Sequence, residues 1–89
     1  MHELVVLPVA VADLEAALDW YEQRSRQAMA RFAQETETAL AETAQSPHRF
    51  PAWDEQHQYY LLRRFPYYVA YRLRSGRVEI VAIRHAARL

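Results

Sequence analysis

The spacing of apolar and polar positions changes period twice along the chain, and each change marks a change of element. "ELVVL" (3–7) is a short β-branched run ended by Pro8 and predicts a strand. From about Val11 the apolar residues Leu14, Ala17, Leu18 and Tyr21 recur at helical spacing. Asp13, Glu15, Asp19 and Glu22 fall between them and read as the solvated face, with the early acids suited to the helix dipole. A break at "RSR" (24–26) follows. Ser25 is placed there to cap a second helix running through Ala28, Met29, Phe32, Thr36, Ala39, Leu40 and Thr43. "SPHRFP" (46–51) stops that helix, because neither Pro47 nor Pro51 can continue it. Two amphipathic helices with so short a connection make an antiparallel helical hairpin.

Beyond a loop at 46–57 the period becomes two. "YYLLRRF" (59–65) predicts one strand and "YYVAYRLR" (67–74) another. In the second, Tyr67, Val69, Tyr71 and Leu73 share one face, and Tyr68, Ala70, Arg72 and Arg74 the other. "Ser75-Gly76" holds the only glycine, where a two-residue hairpin turn needs positive φ. "RVEIVAIRH" (77–85) then returns, and its run from Ile80 to Ile83 suits a central strand covered on both faces. The predicted fold is α+β, in the order β-α-α-β-β-β: a helical hairpin packed on one face of a mainly antiparallel sheet. The expected core is Leu14, Leu18, Tyr21, Phe32, Leu40, Val69, Tyr71, Ile80 and Ala82. A chain of 89 residues, 52% of them hydrophobic, is expected to form one packed domain over residues 1–89.

Charge changes the picture more than composition does. The formal net charge is zero, yet residues 1–55 hold ten acids against four arginines, giving −6. Residues 56–89 hold seven arginines against Glu79 alone, giving +6. That split admits two readings: a basic surface aimed at an acidic partner or nucleic acid, or two halves that neutralise each other across the fold. Every basic residue is arginine, the better fork for carboxylate and phosphate.

Several chemistries drop out. The chain has no cysteine, so disulfides, thiolate metal sites and a thiol nucleophile are excluded. One glycine cannot build a phosphate-binding loop. His2, His48, His57 and His85 lack metal-ligand spacing, so no metal or cofactor is expected. Ser25, Ser46 and Ser75 sit where caps and turns use hydroxyls. No apolar run reaches the roughly 18 residues needed to span a membrane, and "MHELVVLPVA" does not read as a signal peptide, so a cytoplasmic location is expected. One reactive combination stays open. His85 ends the most apolar strand beside Arg84, and RNA cleavage needs a base, an acid and a cation for the phosphate. Glu55 or His57 is the candidate base, His85 the candidate acid and Arg64 the candidate cation. The alternative for His85 is a strand-terminal ring bonded to backbone.

"ADLEAALDWYEQRS" (12–25), "ARF" (30–32), "SPHRFP" (46–51), "LLRRFPYYVAYRL" (61–73) and "VEIVAIRHAAR" (78–88) together resemble the ParE/RelE superfamily of toxins from type II toxin–antitoxin systems, on its ParE ("plasmid stabilisation") side. The resemblance covers almost the whole chain and implies the fold already read from periodicity. It also implies a co-encoded antitoxin, acidic and folding on binding, which suppresses the toxin. ParE-type members poison DNA gyrase, whereas RelE-type members cut mRNA in the ribosome. Arg64 and His85 match positions where some RNA-cleaving members carry arginine and histidine. The chain departs from the RelE pattern in having no lysine, zero net charge, and Ala86-Ala87 where some nucleases carry a tyrosine after the histidine. The expectation is therefore gyrase poisoning, with ribosome-dependent cleavage by Arg64 and His85 as the alternative. Arg63, Arg64, Arg72, Arg74, Arg84 and Arg88 are the candidate contacts for target or antitoxin.

Overall fold

The computed structural model describes residues 1–88. Its elements are β1 (Glu3–Val6), α1 (Pro8–Glu22), α2 (Arg26–Gln45), β2 (Gln58–Leu61), β3 (Tyr67–Arg74) and β4 (Arg77–His85). Short 3₁₀ turns at Pro47–Arg49 and Ala86–Arg88 complete the order. The strands form one sheet in the order β1-β4-β3-β2, with β1 parallel to β4 and the other two pairs antiparallel. This is the expected α+β arrangement.

Local chemistry accounts for the boundaries. α1 begins at Pro8, three residues before the apolar period becomes visible, because proline at the first helical position has no N–H to leave unpaired. Ser25 caps α2 as expected, its hydroxyl accepting from the Ala28 N–H at 3.1 Å. The β3–β4 turn places Ser75 at φ 55° and Gly76 at φ 75°, a pair suited to a primed hairpin turn.

The strand expected at 59–65 is instead four residues long, from Gln58 to Leu61. After it the Leu62 N–H donates to the Tyr67 carbonyl, and the chain turns. The N–H groups of Arg63 and Arg64 donate to the Glu35 carboxylate on α2, so they never enter the ladder.

Phe32, Val69, Tyr71, Val78, Ile80 and Ile83 are buried beneath the helices. The Phe32 ring lies 5.0 Å from those of Tyr21 and Tyr67 and 5.3 Å from Phe65, mostly edge to face. Leu14, Leu18, Tyr21 and Leu40 are half-buried and pack around this core, not inside it. Ala82 is buried on the opposite face of the sheet, with Tyr68 and Ala70. A register slip explains how Ile80 and Ile83 both reach the helix side. Ala70 pairs with Ala82 while Tyr71 pairs with Ile80, so Val81 is the extra residue of a β-bulge.

Candidate functional site

The polar and cationic side chains gather in three places. The first lies where α2 meets the turn after β2. Oε1 of Glu35 accepts both the Arg63 N–H and, at 2.9 Å, the Arg64 N–H. This fixes the backbone of the turn and leaves both guanidiniums exposed. Arg31, Thr38 and Tyr60 complete a depression of about 340 Å³ with Glu35, Arg63 and Arg64. The adjoining Glu42 carboxylate, together with burial, pushes the Tyr60 phenol up from its ordinary value.

The second place is a cleft of about 500 Å³ between α1 and the end of β4, lined by Asp13, Trp20, Tyr21, Tyr67, Arg84 and His85 among others. Asp13 was expected on a solvated face. Here its Oδ2 accepts the Ile83 N–H at 3.0 Å and faces Arg84 Nε at 3.6 Å. β1 pairs with β4 only as far as Ile80, so this carboxylate serves a strand edge that β1 does not reach. Trp20 is 47% exposed, and Arg24 stacks over its ring at 3.6 Å while donating to the Trp20 carbonyl at 3.0 Å. Nδ1 of His85 accepts the Ala87 N–H at 3.1 Å, which puts the proton of a neutral ring on Nε2. Its ring also packs edge to face on Tyr67.

The third place is the hairpin end of the far face. Arg72 Nε donates to Glu79 at 2.7 Å, and Arg77 lies 3.8 Å from the other carboxylate oxygen. The bond from Arg72 holds the Glu79 carboxyl below its ordinary value, against the desolvation that opposes it. Facing this group across a depression of about 380 Å³ is the loop carrying Asp54, Glu55 and His57. Asp54 accepts the N–H groups of Gln56 and His57, each at 2.7 Å, and contacts His57 Nδ1 at 3.0 Å. The Gln56 N–H, followed by the His57 ring, holds its carboxyl low. Among the described residues no cluster of His, Asp and Glu is arranged to hold a metal ion.

Residues 4–89 match the family described as ParE toxin of type II toxin–antitoxin system, parDE. The chain belongs to the ParE toxin family. Among solved structures, a chain of the chromosomal ParDE toxin–antitoxin system from P. aeruginosa has a similar fold, with a TM-score of 0.83 at 19% identity. That alignment covers 96% of each chain. No curated protein matches. Among the described residues of this ParE-family toxin, no helix is long and apolar enough to cross a membrane.

The candidate reactive residues of this ParE-family chain line different depressions. Arg64 lines the depression beside α2, His85 the cleft beside α1, and Glu55 and His57 the depression at the hairpin end. Of the candidate contacts, Arg63, Arg64, Arg74 and Arg84 are exposed, while Arg72 is half-buried against Glu79. The side chain of Arg88 lies outside the described residues. Both readings of the charge split find support: Arg84 meets Asp13 across the fold, whereas Arg63 and Arg64 form no ion pair among the described residues. Glu35, Asp13, Trp20 and Arg31 were not singled out from the sequence. Glu35 and Asp13 carry no local signal, because the groups they bind lie 28 and 70 residues further along the chain. Trp20 was legible as an aromatic on the polar side of α1.

Proposed function

We propose that this ParE-family toxin arrests growth by binding and poisoning DNA gyrase in the cytoplasm, and that a co-encoded acidic antitoxin folding on its surface suppresses it. The observation that carries this reading is the distribution of Arg64, His85 and Glu55 over three separate depressions. General acid–base cleavage needs its groups within hydrogen-bond reach of one substrate. Dispersed exposed arginines instead suit a surface that meets a macromolecular partner. Arg72, Arg84 and the C-terminal "RHAARL" are the proposed gyrase contacts. The purified chain should inhibit supercoiling by gyrase and raise the level of cleavage complexes. Growth arrest with both quantities unchanged would overturn the proposal.

One observation favours ribosome-dependent RNA cleavage as the second reading: His85 and the exposed Arg84 line the same cleft, which pairs a proton-transfer group with a cation. Primer extension on mRNA from expressing cells decides it. Codon-positioned cuts that disappear in His85→Ala would support cleavage; their absence would remove it.

A further inference from the structure

Around the Arg63–Arg64 turn, the arrangement of charge is unusual. Arg31, Arg63 and Arg64 are exposed and line one depression, and among the described residues none of the three forms an ion pair. A carboxylate stands among them, but Glu35 accepts the two backbone N–H groups. Both bonds go to Oε1 and are of the charge-assisted kind, about twice as strong as neutral ones, so Glu35 fixes the backbone of the turn while forming no ion pair with these arginines among the described residues. Three arginines against Glu35 and Glu42 leave the depression net positive.

A second depression, of about 300 Å³, adjoins the first and shares Glu42, Tyr60 and Arg63 with it. Its lining is more apolar and includes Phe50, Pro51 and Leu61, and Leu61 is 54% exposed. The two form one groove with a cationic end and an apolar end.

We propose that Glu35 is the positioning residue of an anion clamp: by holding the Arg63 and Arg64 amides, it presents their guanidiniums, beside that of Arg31 on α2, to carboxylates of an acidic, amphipathic protein segment. The occupant is the co-encoded antitoxin, so the inference rests on the neutralisation half of the proposed function. Two features favour protein over nucleic acid. The exposed Leu61 offers an apolar side chain of such a segment its counterpart. The chain's zero net charge also withholds the broad electrostatic attraction that nucleic-acid binding uses.

The test is calorimetric titration of the full chain with the antitoxin purified from the adjacent reading frame, at low and high salt. Arg31→Ala/Arg63→Ala/Arg64→Ala together should weaken binding by about a hundredfold and flatten its salt dependence. Glu35→Ala should weaken it by roughly tenfold and shift the amide resonances of Arg63 and Arg64. Glu35→Gln, whose carbonyl oxygen still accepts both N–H groups, should remain within about twofold of the parent. The triple variant alters only exposed side chains, so its melting temperature reports whether the fold is intact. An unchanged affinity in the triple variant overturns the clamp alone. Equal losses in Glu35→Gln and Glu35→Ala overturn the positioning role. A parent chain that fails to bind the antitoxin overturns the clamp together with the neutralisation reading. Tighter binding to a single-stranded oligonucleotide, lost in the triple variant, would reassign the groove to nucleic acid and overturn the protein clamp.

Discussion

On the helix side of the sheet, Phe32, Val69, Tyr71, Val78 and Ile80 are wholly shut away, and the rings of Tyr21, Phe65 and Tyr67 close around Phe32. On the far side, Tyr68, Ala70 and Ala82 make a small cluster, met from the loop by the edge of Trp53 at 5.8 Å from Tyr68. Beyond that cluster the far side becomes Arg72 and Glu79. One face is specified by shape, because interlocking rings leave no space to adjust. The other is specified by charge, and its outer arginines are free to change without disturbing the interior. Evidence about mechanism therefore belongs to the far side and the arginine turn, and evidence about folding to the helix side.

The sharpest break in this contrast is Phe32→Ala, which should cost roughly 3–5 kcal/mol in denaturant unfolding and abolish activity only by unfolding the chain. Next is an alkaline transition. Burial pushes the Tyr71 phenol up to about 12. The unfolded chain then loses this proton first, near pH 10, so the contribution is complete below pH 10 and falls away as pH rises toward 12, by about 2–3 kcal/mol. Tyr71→Phe should remove that slope. At neutral pH the same substitution should cost about 1 kcal/mol, the net value of the bond its hydroxyl donates to the Pro47 carbonyl at 2.6 Å.

The far side should respond to acid. Because the bond from Arg72 holds Glu79 low, its contribution is present above the ordinary carboxylate value and disappears as pH falls through the lowered one. Arg72→Ala should flatten most of that acid-limb dependence in a pH series of thermal melts, leaving the smaller share that Arg74 and Arg77 contribute. Least of all, Arg64→Ala and Arg74→Ala should each shift stability by no more than about 0.5 kcal/mol. A larger loss at either position would show that the arginine surface helps hold the fold, and the division between the faces would fail.

The same division marks what was legible in the sequence. Period alone located both helices and the β3–β4 hairpin, since Leu14, Ala17, Leu18 and Tyr21, or Val69, Tyr71 and Leu73, are set by neighbours a few residues away. The Ser25 cap and the Ser75-Gly76 turn were legible for the same reason. The early end of β2 was not, because a carboxylate from α2 decides it. Nor was the engagement of Asp13, whose partner is a backbone group on β4. Of the candidate site, the arginines could be read as a group from charge alone. Their division into half-buried Arg72 and exposed Arg63, Arg64 and Arg74 depends on which acids the fold brings near.

The bulge at Val81 gives β4 one residue more than its partner strand uses. Deleting a residue from an ordinary strand turns every later side chain to the opposite face. Here a deletion at Val81 would straighten the ladder and leave Ile83 and His85 on the faces they already occupy. The strand that carries the C-terminal histidine thus has a built-in slack of one position, so a shortened β4 should keep its sidedness, whereas one lengthened by a residue elsewhere should not.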